Sequence, residues 1–278
     1  MRAHFGGSSR ESLKASRAML DAAVKGATPE TASQLCDELF FCAEVLAGSI
    51  ALRRGITDPS RDSAAKVALV VEIFGKSVHA TALEIITNIA SLRWSSSGDL
   101  VPVVEQLAIE AQGSAANIAG ELDRVEDEFF AVSQAISSSF DLRKALTTSG
   151  ATELKEALVV ELLGKTDTES TVKLVSHLVN NLRGRSIEAA FEDYFFALAA
   201  RRNRLIAHVQ VALGLTDAQR ERLVTLLSAQ VGQPVRVNIE VNPSVVGGVS
   251  VRFGDEIIDG TISNRIAGAG RALVGAQG

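Results

Sequence analysis

Groups that carry chemistry are scarce in this chain. Cysteine and methionine occur twice each, tryptophan and tyrosine once each, in 278 residues. Cys36 and Cys42 are six positions apart, so on a helix their thiols point in different directions. That excludes a disulfide framework and favours free thiols in a reducing cytoplasm. His4, His79, His177 and His208 stand apart in sequence, with no metal-ligand spacing among them. Basic residues are outnumbered, 28 to 33, and the net charge of −5 excludes the basic excess of a non-specific nucleic-acid binder. Long apolar runs are also missing. The longest, around residues 67–74, is interrupted by Glu72 and falls far short of the roughly 20 residues that span a bilayer. The first seven residues, MRAHFGG, hold no apolar signal core.

Several short motifs look chemical and have plainer readings. Gly75-Lys76-Ser77 and Gly164-Lys165-Thr166 resemble the end of a phosphate loop, but such a loop needs a glycine where Val70 and Val159 stand. A glycine after an apolar helical run caps it, and the lysine suits the negative end of the helix dipole. Gly268 and Gly270 lack the strand–turn–helix setting of a dinucleotide fingerprint. Asp123, Glu126, Asp127 and Glu128 read as a solvated acidic face, Arg201-Arg202-Asn203-Arg204 as cations at a helix end, and Trp94 as a packing residue. No catalytic residue, cofactor site or metal site is expected.

What the chain does have is apolar content and repetition. Hydrophobic residues make up 46% of it, and its length exceeds what one core usually holds, so two or three units are expected. KVALVVEIFGKS at 66–77 recurs as KEALVVELLGKT at 155–166, an offset of 89. Asp37-Glu38 returns as Asp127-Glu128, Leu52-Arg53 as Leu142-Arg143, and Leu92-Arg93 as Leu182-Arg183, each with an offset of 90. Small register changes between helical segments are what loop insertions leave. Recurrence at three- and four-residue spacing marks helices with a mostly apolar face: Leu13, Ser16, Arg17, Leu20 and Val24, then Leu39, Ala43, Leu46 and Ile50. Further segments are 81–92, 100–111, 170–182 and 187–199. Gly48-Ser49 and Ser137-Ser138-Ser139 are expected to weaken their helices without ending them. Two tandem helical bundles over 1–112 and 113–203 follow.

From Arg204 the period changes to two. Leu205, Ala207, Val209, Val211 and Leu213 alternate with their neighbours, as do Val235, Val237, Ile239 and Val241. Between them Thr216 and Gln219 have capping-box spacing, with Leu223, Leu226 and Leu227 facing a core in a helix that ends near Gly232. Asn242-Pro243 and Gly247-Gly248 turn the chain into a strand with Val249, Val251 and Phe253. Gly254-Asp255 turns it again into Ile257-Ile258, and Asp259-Gly260-Thr261 opens a terminal helix. The expected class is therefore mainly α with a small α/β C-terminal region over 204–278, in which a short mixed β-sheet with helices follows the bundles.

This C-terminal block also carries a resemblance. PSVVGGV at 243–249, VRFGD at 251–255 and IDGT at 258–261 resemble the C-terminal signature of the F-type ATP synthase delta subunit, the family of the mitochondrial oligomycin-sensitivity-conferring protein. The family's order, a helical bundle before a smaller α/β region, is the same. It needs one bundle, and this chain has two, so the resemblance implies an enlarged bacterial form with a duplicated bundle. It further implies a non-catalytic peripheral-stalk (stator) subunit that couples proton-driven rotation to ATP synthesis. Its partners would be alpha-subunit N-termini of the catalytic head and b-type stalk subunits, with one copy per complex, no nucleic acid and no bilayer insertion. Its place would be the cytoplasmic face of the bacterial cell membrane. The family receives an alpha-subunit helix in a groove of its bundle, a mode that relies on apolar anchors at i, i+3, i+4 and i+7. Ala15, Ala18, Met19 and Ala22 form a second small-apolar stripe on the first helix that fits such contact, and burial inside the bundle is the plainer use of it. The alternatives are a helical-repeat adaptor of an unrelated cytoplasmic complex, or an ATP-binding enzyme built on the Gly-Lys-Ser/Thr triplets.

Overall fold

The computed structural model describes residues 5–148, 150, 152–201, 205–231, 235–242, 249–253 and 256–259. The chain divides into two compact units, Met1–Arg201 and Arg202–Gly278.

The first unit is helical. It runs α1 (Gly7–Val24), α2 (Pro29–Gly48), α3 (Ile50–Thr57), α4 (Ser63–Phe74), α5 (Ala80–Ser91), α6 (Leu100–Ile118), α7 (Leu122–Ser138), α8 (Phe140–Thr147), α9 (Thr152–Leu163), α10 (Glu169–Asn180) and α11 (Ile187–Ala200). The series α2–α6 returns as α7–α11, in the same order and at nearly the same lengths. The duplication extends to individual hydrogen bonds. Ser49 accepts from the Leu52 N–H and Ser139 from the Leu142 N–H, each capping a helix that begins one residue later. Arg53 donates back to the carbonyl of Ala47, and Arg143 to that of Ser137. Glu38 accepts from the His79 N–H and Glu128 from the Thr168 N–H, closing the starts of α5 and α10.

These bonds correct two expectations. The serines after α2 and α7 do end their helices, because each hydroxyl stabilises the start of the next one instead. Ile50 then opens α3 and is 59% exposed rather than extending the face of Leu39, Ala43 and Leu46. The acidic run of α7 is not simply a solvated face either. Glu126 is buried, and Glu128 turns inward to the Thr168 and Thr171 hydroxyls at 2.8 and 2.7 Å. Burial works against the Glu128 carboxylate, but the Thr168 N–H, the two hydroxyls and Arg124 outweigh it and hold its pKa below the usual value.

One core cluster runs through this unit. Leu20, Leu39, Leu46, Phe74, Ile85, Ile89 and Leu107 join it from the first half, and Phe129, Leu174, Leu178, Tyr194 and Leu198 from the second. α6 lies at its centre, buried almost throughout from Leu100 to Ala116. The expected boundary after residue 112 falls inside this unbroken helix. Gly26 after α1 and Gly120 after α6 both take positive φ, +78° and +76°, the left-handed step that closes a helix and favours glycine. α1 thus stands to α5 and α6 as α6 stands to α10 and α11. α6 is at once the last helix of the first repeat and the leading helix of the second. Cys36 and Cys42 are buried free thiols on α2, and burial pushes the Cys42 pKa up to about 12.

The second unit contains β1 (Leu205–Val211), α12 (Asp217–Val231), β2 (Val235–Val241), β3 (Val249–Phe253) and β4 (Glu256–Asp259). The sheet order is β2-β1-β3-β4, with β1 and β2 parallel and the other pairs antiparallel, so the sheet is mixed, as expected. Val209 sits opposite Ile239 on one side and Val251 on the other. Val209, Val211, Val237, Val251 and Leu227 form its core, with Leu223 and Val224 packed against them. Leu226 departs from its expected place and is 60% exposed. The expected terminal helix, the glycine turns at 247–248 and 254–255, Gly268 and Gly270 lie outside the described residues. The Thr216–Gln219 capping box is present: the Gln219 N–H donates to the Thr216 hydroxyl at 3.3 Å, and the Gln219 side chain accepts from the Thr216 N–H at 2.9 Å. Thr216→Ala should destabilise this unit by about 1 kcal/mol, read as faster hydrogen exchange in the first turn of α12 with α1–α11 unchanged.

Candidate docking surface

The features that looked chemical in sequence resolve into structure. Gly75 and Gly164 follow α4 and α9, and their N–H groups donate to Val71 and Val160, as helix-ending residues do. Trp94 is half-buried and donates to the Ile89 carbonyl. His79 pairs with Glu38 and Gln34 beside the start of α5. Among the described residues no three His, Cys, Asp or Glu side chains gather as metal ligands. A cleft of about 570 Å³ lies between α8, α9 and the α10–α11 turn, lined in part by Arg143, Lys155, Arg183 and Arg185. Its arginines are answered by Glu188, Glu105 and Asp193.

The more informative geometry lies around α1, α2, α6 and α10. α2 packs along α6 and reaches across to α10. Ser33 donates to the Gln112 side chain of α6 at 3.0 Å. Lys173 of α10 bonds Ser33 at 2.7 Å and Asp37 at 2.8 Å. One helical turn on, the Phe40 ring stacks on His177 with centroids 3.4 Å apart. A further turn on, Asn181 donates to Glu44 at 3.3 Å. Gln112 completes the seam by donating to Ser170 at 2.8 Å. The surface formed by α6 and α10 is therefore covered by a helix of the same chain.

Buried charge fixes the leading helices. Glu110 on α6 has no exposed side-chain surface. It meets Arg17 of α1 at 2.7 Å and Arg201 at 3.6 Å, and Arg201 also holds Asp21 of α1 at 2.6 Å. Burial raises the Glu110 pKa, with Arg17 opposing it. Earlier on α6, Glu105 accepts from Arg185 at 3.1 Å and meets Arg183 at 3.2 Å. Sequence reasoning passed over both glutamates, because a lone acid in an apolar helix gives no sign of its distant arginine.

His177 is held neutral. Burial, then the charges of Arg183 and Arg185, lower its pKa to about 3, while the Tyr194 hydroxyl lies 2.7 Å from Nδ1. The unfolded chain takes up this proton near pH 6.5, so its neutral form stabilises the fold above that pH. The stability is lost progressively as pH falls from about 6.5 towards 3. His177→Gln should flatten that part of the stability–pH curve by ~1 kcal/mol per pH unit, measured by urea unfolding between pH 7 and 5.

Ala15, Ala18 and Ala22 are exposed on α1 and Met19 is half-buried, while Leu13, Ser16 and Leu20 turn into the core. The small-apolar stripe is thus on the outer side of the first unit. Residues 109–273 match the family model of the ATP synthase delta (OSCP) subunit, from within α6 through the second repeat and the sheet. The chain belongs to that family. ATP synthase subunit delta of Streptomyces coelicolor is 41% identical over 96% of this chain and 97% of its own length. Those of Streptomyces avermitilis and Kineococcus radiotolerans are 41% and 39% identical, each over at least 97% of both chains. These delta relatives extend over the first repeat as well, which the family match leaves out.

Proposed function

We propose that this chain is the non-catalytic stator subunit of an F-type ATP synthase, joining the catalytic head to the b-type peripheral stalk. The observation that carries the reading is similarity along nearly the whole chain to ATP synthase delta subunits. The fold suits the task. A stator must transmit force without yielding, and a close-packed core continuous across eleven helices resists deformation better than separately hinged bundles. Its buried ion pairs hold helices in place rather than reacting. The helical unit meets alpha-subunit N-termini and the sheet-bearing unit meets the b-type helices, with one copy per complex. The protein sits peripherally at the cytoplasmic face of the cell membrane, and among the described residues no helix is long and apolar enough to cross it.

The test is native mass spectrometry of purified heads stripped of their delta subunit and mixed with this chain. One bound copy per head is expected. A well-folded chain that leaves the heads bare at micromolar concentration contradicts the reading and favours an adaptor of another complex.

A further inference from the structure

The two repeats differ where α8 meets α9. In the first repeat α3 packs on α4 and α5. Gly55 of α3 lies against α4, and a Cβ in its place would stand 3.4 Å from a Leu69 methyl. Ala145 holds that position in α8 and is exposed, and the chief packing of α8 is on α7. The cleft of about 570 Å³ between α8, α9 and the α10–α11 turn is large enough for a small ligand.

Lys155 of α9 lines this cleft with only 7% of its surface exposed. Its ammonium donates to the Val179 carbonyl at 3.1 Å, and among the described residues no carboxylate pairs with it. A buried ammonium without a counter-charge is costly, so an anion beside it is favoured. Lys66, the counterpart in the first repeat, is equally buried but has an acid at hand. The Ser60 bonds, and then the charges of Arg61 and Lys66, hold Asp58 below the usual carboxylate range. At the offset of 90 that relates Leu52-Arg53 to Leu142-Arg143, Asp58 corresponds to Thr148. The second repeat has the lysine without the acid.

Arg143 is the other cation open to a ligand. Its Nε lies 3.3 Å from Glu188 and makes no hydrogen bond, and both side chains of this pair are more than two-fifths exposed. Such a pair contributes little. Arg185, by contrast, has its donors taken by Glu105, Asp193, Leu182 and Asn181. Ser186, Ile187 and Glu188, the N-cap and first two residues of α11, complete the wall, and the positive end of that helix favours an anion.

We propose that this cleft binds one phosphate dianion, free or carried as a monoester, between Lys155, Arg143 and the first turn of α11. Glu188 faces Arg143 in the phosphate-free chain. Once displaced, it leaves two positive charges for the roughly 1.5 to 2 negative charges that a phosphate carries near pH 7. A lone carboxylate answers only one of them. The cleft beyond one phosphate leaves room for the organic part of a monoester. This inference is independent of the stator reading.

Calorimetric titration of the full-length chain with inorganic phosphate, and separately with adenosine monophosphate, provides the test. Saturable binding at one site is expected at millimolar phosphate. Binding of both probes assigns the site to a phosphate group however carried, and binding of inorganic phosphate alone assigns it to the free ion. Lys155→Met should weaken binding at least tenfold, and Lys66→Met should leave it unchanged. Glu188→Gln should tighten it severalfold by freeing Arg143. Glu188 is exposed, so this variant alone decides the matter if Lys155→Met fails to fold. No saturable binding of either probe overturns the proposal. So does unchanged affinity in Glu188→Gln and in any folded Lys155→Met.

Discussion

Phe129→Ala should destabilise the whole helical unit by about 3–5 kcal/mol, not the second repeat alone. Phe129 has no exposed surface, and its ring lies 4.8 Å from Phe191, 5.3 Å from Phe195 and 5.9 Å from Tyr194. Truncation removes a buried ring and leaves a cavity among aromatics that are themselves fixed. The lost energy spreads because the core does not stop at α7. It continues through α6 into Leu39, Leu46 and Ile85. Residues 5–201 should therefore melt in one transition that moves to lower temperature as a whole. The decisive readout is native-state hydrogen exchange. Amides of α2 and α5 should lose protection together with those of α7 and α10 in the variant. If the first repeat keeps its protection while the second loses it, the two are separately stable bundles and the shared role of α6 is wrong.

Glu105→Ala should cost about 3 kcal/mol or more, although it removes only one carboxylate. Its side chain is 3% exposed and answers two guanidinium groups, Arg183 and Arg185, that are each less than a quarter exposed. Without it Arg183 loses its Glu105 ion pair, and Arg185 keeps its ion pair with Asp193 and its bonds to the Leu182 and Asn181 carbonyls. The same arginines form the turn between α10 and α11, where Arg183 takes a left-handed φ of +49° ahead of Gly184 at +79°. Freed from Glu105, that turn should lose hydrogen-exchange protection first. Glu84→Ala is the contrast: its carboxylate is exposed, and the change should stay within about 0.5 kcal/mol. Equal effects at the two sites would mean that the buried pair contributes no more than a surface charge.

Much of this organisation is legible in the chain itself. The KVALVVEIFGKS/KEALVVELLGKT pair and the Leu-Arg pairs gave the repeat, because side chains that pack on equivalent neighbours keep their spacing. Period-two alternation marked β1 and β2, and Thr216 with Gln219 marked the start of α12. The strand order, with β1 between β2 and β3, was not legible, since alternation says which face is buried but not which edge is shared. The ends of α2 and α7 were missed because a serine in a polar cluster looks alike whether it faces water or caps the following helix. Glu105, Glu110 and Glu128 were missed for a related reason: the partners that hold them across the fold lie 40 to 93 residues away. The stripe Ala15, Ala18, Met19 and Ala22 was visible, but its exposure followed only from the structure.

The most direct test of the stator account uses coupled function. Membrane vesicles stripped of their delta subunit should still hydrolyse ATP at the head but should make little ATP from an imposed proton gradient. Adding back this chain should restore gradient-driven synthesis, saturating at one copy per head. If synthesis stays at the stripped level with the folded chain bound in excess, or was never lost on stripping, the chain does not hold the head against the rotor.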